Sequence, residues 1–349
     1  MAAEPKFVIL RAKEREVELE RHVMVAERSH GGTEEFGFAV VDDLRLAYVR
    51  HLPLAVSRMR VVVIGPIGAE RERAHRTIVE FARGLAQRGY EVFRYDHRGH
   101  GESEGPFEDG TVGVWSNDAQ RVVRHLQTHA ARPTPTALVG IRMGALIASE
   151  LFAEGLGDAA VFFGPADGAS LLRDASRRAL VANLVHGQAG QSETEDVHAL
   201  PRARNVTGYS AISAGQEARI DGYVWKPQLV REAASHRFRR PELHEPRPWI
   251  QAELGRGAMS LAGSAAVSLE KDRRSNTNEG EKIEAAAGNL PVGLGASSGD
   301  DAASHATHAL SVHAPRFWES SPQLVPGNVR WFDALGTWFD QIASKTSIA

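Results

Sequence analysis

The sequence predicts an α/β chain built on a mostly parallel, doubly wound sheet, and three features carry that expectation. Short apolar runs alternate with amphipathic stretches, the order that strand–helix–strand units with right-handed crossovers produce. The runs are continuous rather than alternating: Val61-Val62-Val63-Ile64 is β-branched throughout, the mark of a strand covered on both faces. Loops follow these runs at Gly65, Asp96, Gly140 and Gly164, so four loops gather at the carboxyl edge, where such sheets hold ligands.

The chain has 349 residues, enough for one large α/β domain with insertions or for two smaller ones. A net charge of −3 points neither to nucleic acid nor to an anionic membrane surface. The absence of cysteine excludes disulfides, thiolate catalysis and thiolate-held metals. Met1 to Glu20 lacks the apolar centre of a signal peptide, and no run reaches the roughly 18 apolar residues of a membrane span, so a cytoplasmic location is expected.

Taken in order, residues 1–30 are charged and mixed, with Phe7-Val8-Ile9-Leu10 as a candidate edge strand or packing tail. Phe36 to Val41, the Asp42-Asp43 turn and Leu44 to Val49 read as a hairpin. The buried strand at Arg60 to Gly65 comes next. Ile78, Phe81, Ala82 and Leu85 then recur at helical spacing until Gly89 stops the helix. Tyr90 to Tyr95 is a strand, Asp96 to Ser103 a Gly-rich turn, and Val114, Trp115, Val122, Val123 and Leu126 mark a helix. Thr136 to Gly140 is a strand, Ala145 to Phe152 a helix, and Ala159 to Gly164 a further strand.

After Pro165 the pattern loosens. Leu171 to Val185 suggests one or two helices, Ala211 to Trp225 two short strands, and Gln228 to Phe238 a helix. This block falls where a lid or cap insertion would. Trp249 to Leu254 returns to the sheet. Residues 255–307 hold too few large apolar groups to offset their ordering entropy and are expected to be mobile. Leu310-Ser311-Val312-His313 is a last strand, and Leu324 to Ile342 an amphipathic helix, broken near Pro326-Gly327, whose aromatics pack on the sheet. The boundaries that follow are an N-terminal extension 1–33, a first part of the core 34–164, a cap 165–246 and a second part of the core 247–349.

The organising stretch is Gly140-Ile141-Arg142-Met143-Gly144. A strand that runs into Gly-x-Arg-x-Gly and then straight into a helix has the layout of a nucleophile elbow, a sharp turn that lifts one side chain above the sheet. The middle residue is Arg142, whose guanidinium stays protonated and cannot act as a nucleophile.

Several of these segments resemble the α/β-hydrolase superfamily, in its serine-aminopeptidase-like and monoglyceride-lipase-like branch. They are Val61 to Gly65, the Gly65-Pro66-Ile67-Gly68-Ala69-Glu70 loop, the Asp96-x-Arg98-Gly99-x-Gly101-x-Ser103 turn and Trp115-x-x-Asp118. The likeness covers residues 36–165 well and the rest poorly. Within the superfamily the chain is similar to the exosortase A system-associated hydrolase 2 group, through the Gly-x-Arg-x-Gly-Ala elbow, Asp221-Gly222-Tyr223 and Arg316-Phe317-Trp318. That resemblance implies a setting of the bacterial envelope and exopolysaccharide export.

An enzyme of this kind needs a nucleophile, a base, an acid that orients the base, and two backbone donors for an oxyanion. The donors can be drawn from Met143 and from Ile67 or Gly68, beside Pro66. The other roles are not filled. Ser149 should point away down the helix, and Ser103 reads as a loop cap. Glu253 is a poor acid, Asp300 and Asp301 fall in the low-complexity stretch, and His313 is a weak base candidate. His97 and His100 are three apart, but no carboxylate–His cluster completes a metal site. Asp96 should bind loop amides, while Trp115 and Asp118 anchor the turn. No cofactor is implied.

Arg142 beside the helix N-terminus and two orphan amides could form a site for a small anionic ligand or an acidic group of a partner. Alternatively it pairs internally with Glu70, Glu72 or Asp96 and plugs the pocket. The leading expectation is therefore a non-catalytic or accessory protein that binds an anionic ligand or partner. An active hydrolase of esters, thioesters or amides with another nucleophile is the first alternative, and an interaction scaffold the second.

Overall fold

The computed structural model describes residues 17–28, 32–129, 132–189, 216–242, 245–254, 259–263, 310–312, 318 and 328–346. Its strands are β1 (Glu18–Arg28), β2 (Gly32–Val41), β3 (Leu44–Pro53), β4 (Arg60–Ile64), β5 (Glu91–Tyr95), β6 (Thr136–Ile141), β7 (Ala159–Phe163), β8 (Ala218–Ile220), β9 (Tyr223–Trp225), β10 (Trp249–Leu254), β11 (Met259–Gly263) and β12 (Leu310–Val312). Its helices are α1 (Ala69–Gln87), α2 (Val112–Thr128), α3 (Met143–Ala153), α4 (Gly168–Ala189), α5 (Pro227–Ser235) and α6 (Asn328–Thr346).

Ten strands form one sheet in the order β1-β2-β3-β5-β4-β6-β7-β10-β11-β12. The central five, β5-β4-β6-β7-β10, are parallel, and the flanking pairs are antiparallel. Followed through those pairings, β2, β4, β5, β6, β7, β10 and β12 run one way and β1, β3 and β11 the other, so the sheet is mostly parallel. The hairpin between β2 and β3 turns on Asp42 and Asp43, which both hold positive φ, 51° and 63°. That twist suits a two-residue hairpin, and aspartate tolerates it better than most side chains.

Side chains that alternate along the central strands feed two separate cores. Val62, Phe93, Leu138 and Phe162 meet Trp115, Val122 and Leu146 of α2 and α3 on one face. Val61, Val63, Val139 and Val161 meet Phe81 and Leu85 of α1 and Trp338 and Phe339 of α6 on the other. Apolar side chains are thus required on both faces of these strands, which accounts for the continuous apolar runs. The second core is closed by α6, whose Asp340 accepts from Tyr90 Oη at 2.6 Å and Arg88 Nη1 at 3.0 Å.

The α4, β8–β9 and α5 block caps the carboxyl edge. Its Leu171, Leu172, Ile220, Trp225, Leu229 and Val230 join the first core together with Met143 and Phe107. Two segments differ from expectation. Glu18–Arg28, read as charged and mixed, is an eleven-residue edge strand on β2. Met259–Gly263, read as part of a mobile stretch, is a strand paired with β10 and β12. Phe7 to Leu10, residues 264–309 and the Pro326-Gly327 break lie outside the described residues. Among the described residues no helix is long and apolar enough to cross a membrane.

Candidate functional site

The elbow forms where β6 meets α3. Arg142 holds φ 57° and ψ −114°, a conformation that costs a non-glycine residue about 1–3 kcal/mol. Two glycines allow the turn. A Cβ on Gly144 would stand 2.1 Å from the Ile64 carbonyl oxygen, and one on Gly140 would stand 2.6 Å from Ala145 Cα. No side chain fits either position, because α3 is pressed directly against β4 and β6.

Arg142 does not project into solvent; it is 6% exposed. Its Nε donates to both Glu70 oxygens at 3.3 Å, Nη1 to the Gly164 carbonyl at 3.2 Å, and Nη2 to Asp174 Oδ2 at 3.0 Å. The guanidinium also lies 5.4 Å from the centre of the buried Trp318 ring. Burial pulls its pKa down, but the Glu70 and Asp174 carboxylates outweigh that and hold it above the ordinary arginine value. Arg178 Nη2 adds a second cation at 2.5 Å from Glu70. Glu70 opens α1, while Asp174 and Arg178 lie one turn apart on α4, so this four-charge cluster ties the cap to the core.

Of the internal partners expected for Arg142, Glu70 is the one it meets. Glu72 accepts from Tyr223 Oη at 2.6 Å, and Asp96 is held bidentately by Arg71 at 2.9 and 2.6 Å. Asp96 therefore meets an arginine through its carboxylate, where loop amides were expected. Asp174 and Arg178 were missed. Their only sequence signal is an i, i+4 acid–base pair on a helix read from its apolar residues alone.

The two histidines of the turn brace the loop after β4. A carbonyl can only accept, so His97 Nε2, 3.1 Å from the Gly65 carbonyl, carries the proton. Gly68 N–H donates to His100 Nε2 at 2.9 Å, so the proton of His100 sits on Nδ1, facing the Arg98 carbonyl at 3.2 Å. Burial lowers His97 to about 4 and His100 to about 3, which keeps both neutral. Gly68 thus spends its amide on His100, leaving Ile67 as the loop's candidate donor; Pro66 has no N–H to offer. Met143 N–H is one of the orphan donors of the first turn of α3.

Ser103 and Ser149 are both occupied. Ser103 Oγ donates to the Asp96 carbonyl at 2.6 Å and accepts from Ala47 N–H at 2.9 Å. Ser149 Oγ donates to the Leu146 carbonyl at 2.8 Å and accepts from Arg239 N–H at 3.1 Å. Asp118 holds Arg98 bidentately at 2.7 and 2.5 Å, and Trp115 Nε1 donates to the Arg98 carbonyl, so both anchor the turn. Glu253 lies in β10 opposite Ser260. His313, Asp300 and Asp301 lie outside the described residues.

Over the elbow, a cleft opens between cap and core. Ile67, Met143, Leu171, Leu172 and Trp225 give it apolar walls, with Glu70, Arg178 and Asp221 at its polar parts. Among the described residues no group of three or more His, Asp or Glu could hold a metal ion.

In sequence, residues 72–206, from α1 through the elbow into the cap, match the family described as Serine aminopeptidase, S33. The fold is that of an α/β hydrolase. The match, the strand order and the strained elbow agree on this point. No curated protein sequence matches the chain. Among solved structures, similarity is found to the ferulic-acid-bound Est1E from Butyrivibrio proteoclasticus, at 21% identity and a TM-score of 0.39, covering 56% of this chain and 70% of that one. The Pyrococcus furiosus esterase Pf2001 is similar at 22% identity and a TM-score of 0.34, covering 48% and 59%. What distinguishes this α/β-hydrolase fold is an elbow whose side chain is consumed by the protein itself.

Proposed function

We propose that this chain is a hydrolase-fold protein without triad chemistry, which acts by binding, and in which Arg142 fastens the cap to the core. The observation that carries this reading is the commitment of Arg142. A permanently charged side chain fills the nucleophile position and spends Nε, Nη1 and Nη2 on groups of the same chain. Among the described residues, moreover, no serine hydroxyl is hydrogen-bonded to a histidine, the pairing that would activate one.

Of the two roles open to Arg142, internal pairing is the better supported. An anion at the elbow would have to displace Glu70 or Asp174 from Arg142 and give up one of these ion pairs. The apolar cleft above it suits a small, mainly apolar ligand, and an anionic group on that ligand could be met by Arg178. The Gly-x-Arg-x-Gly-Ala elbow supports placing the chain with the exosortase A system-associated hydrolase 2 group, and hence with exopolysaccharide export on the cytoplasmic side of a bacterial envelope.

The test is activity-based labelling of the full chain with a fluorophosphonate probe, alongside turnover of p-nitrophenyl acetate and butyrate. No labelling and no turnover above buffer are expected. Inhibitor-sensitive turnover lost on changing one serine to alanine would establish a working hydrolase instead.

A further inference from the structure

A second cavity lies away from the elbow, on the α1 side of the sheet, where β4 and β5 end. It is lined by Arg71, His75, Arg94, Asp96 and His97, with Pro66 and Ile78 among its apolar walls. Its charges do not balance. Arg71 is consumed by Asp96, whose two oxygens it holds. The neighbouring Glu34 is likewise held by Arg83 through Nε at 2.6 Å and Nη2 at 3.4 Å. Arg94 is left over. Its Nε donates to His51 Nε2 at 3.0 Å, and among the described residues no carboxylate lies within ion-pair distance of it. Burial lowers Arg94 to about 10 despite the attraction of Asp96 and Glu34, which still leaves it charged at neutral pH.

A second group in the same wall is unsatisfied. His97 is 2% exposed, and its Nε2 carries the ring proton for the Gly65 carbonyl. The remaining Nδ1 is a buried acceptor without a partner. The cavity thus offers one guanidinium without a carboxylate at ion-pair distance, which favours planar or tetrahedral oxyanions, and its His97 wall holds one buried acceptor that asks for a donor. The exposed His75 stands on its outer wall.

We infer that this cavity is a binding site for a small oxyanion that carries its own O–H, a hydrogen phosphate group, with its charge on Arg94 and its hydroxyl toward His97 Nδ1. Sulfate, a tetrahedral anion of the same shape, has no proton to give and leaves that acceptor unsatisfied, so the site should discriminate between the two. The site shares no residue with the Arg142 cluster, so its test is independent of the role proposed for the elbow.

The experiment titrates the full chain by calorimetry, and follows its melting temperature, at about pH 6, where phosphate groups retain a proton. Inorganic phosphate, methyl phosphate and sulfate are the three probes. Phosphate should bind at least tenfold more tightly than sulfate. Methyl phosphate binding as well as phosphate would point to a phosphomonoester as the source, and its exclusion to the free ion. Arg94→Met should abolish the response to every probe while the protein still melts cooperatively. If Arg94→Met does not fold, Arg94→Lys provides the reading, with phosphate affinity reduced at least tenfold. His97→Gln keeps a donor for the Gly65 carbonyl but removes Nδ1, and should bring the phosphate-to-sulfate ratio close to one. Equal affinity of the native chain for sulfate and phosphate, or a phosphate response unchanged in the Arg94 variants, overturns the assignment.

Discussion

Asp174 of the cap helix stands 3.0 Å from Nη2 of Arg142, the residue at the nucleophile position. The contact joins an insertion to the most strained point of the core. It also explains how an arginine is tolerated there: its charge is matched on the cap side by Asp174 and on the core side by Glu70.

The two carboxylates should contribute unequally. Glu70 is buried and serves both Arg142 and Arg178, so Glu70→Gln leaves two guanidinium groups short of a partner and should cost about 3 kcal/mol. The Asp174 side chain is 34% exposed, and Asp174→Asn should cost only about 0.5–1 kcal/mol. Urea unfolding of both variants checks the order. Limited proteolysis should show the cap cut faster in each, and a costlier Asp174→Asn would show that the cap, not the core, anchors the cluster.

Replacing the elbow arginine by serine should not create an enzyme. Arg142→Ser supplies a hydroxyl, but His100 spends both ring nitrogens on Gly68 and Arg98, His97 spends Nε2 on Gly65, and its remaining Nδ1 is buried. The variant should show no ester turnover and no fluorophosphonate labelling. A gain of labelling at residue 142 would mean that a base reaches the elbow from outside the described residues.

Much of this frame is legible in the sequence, for physical reasons that also mark where legibility ends. The strands at Arg60–Ile64, Thr136–Ile141 and Ala159–Phe163 are buried on both faces, and such burial leaves an unbroken apolar run. The elbow glycines are legible because α3 touches β4 and β6 so closely that no side chain fits. The edge strand Glu18–Arg28 is not, since one row of backbone pairing with β2 makes few demands on side chains. Nor are Asp174 and Arg178, whose partners are 32 and 108 residues distant and meet them only through the placement of the cap.

Gly144→Ala tests the elbow packing directly. The added methyl would stand 2.1 Å from the Ile64 carbonyl oxygen and 2.4 Å from that of Gly65, both backbone atoms that cannot swing aside. The expected cost is about 3 kcal/mol or more, seen as a large fall in the urea midpoint or as insoluble protein. Gly84→Ala is the matched control, because nothing lies within 4 Å of its Cβ position and it sits in a helix. That change should be neutral or stabilising. Equal effects of the two substitutions would remove the case for a tight elbow.

The buried histidines predict acid lability with a definite sign. Burial, with Arg94 adding to it, lowers His51 to about 3; burial lowers His97 to about 4 and His100 to about 3. In the unfolded chain each returns to about 6.5. Between these values the unfolded state binds more protons than the folded one, so folding stability is complete above about pH 6.5 and is lost as the pH falls toward 4 and 3. Each histidine contributes a slope of up to about 1.4 kcal/mol per pH unit inside that window. Urea midpoints measured downward from about pH 8 should stay level to about 6.5 and then drop. His100→Gln keeps an acceptor for Gly68 N–H without a titrating ring, and should make the drop shallower by one histidine's share. An unchanged slope in that variant would show that His100 already opens to solvent before it takes up its proton.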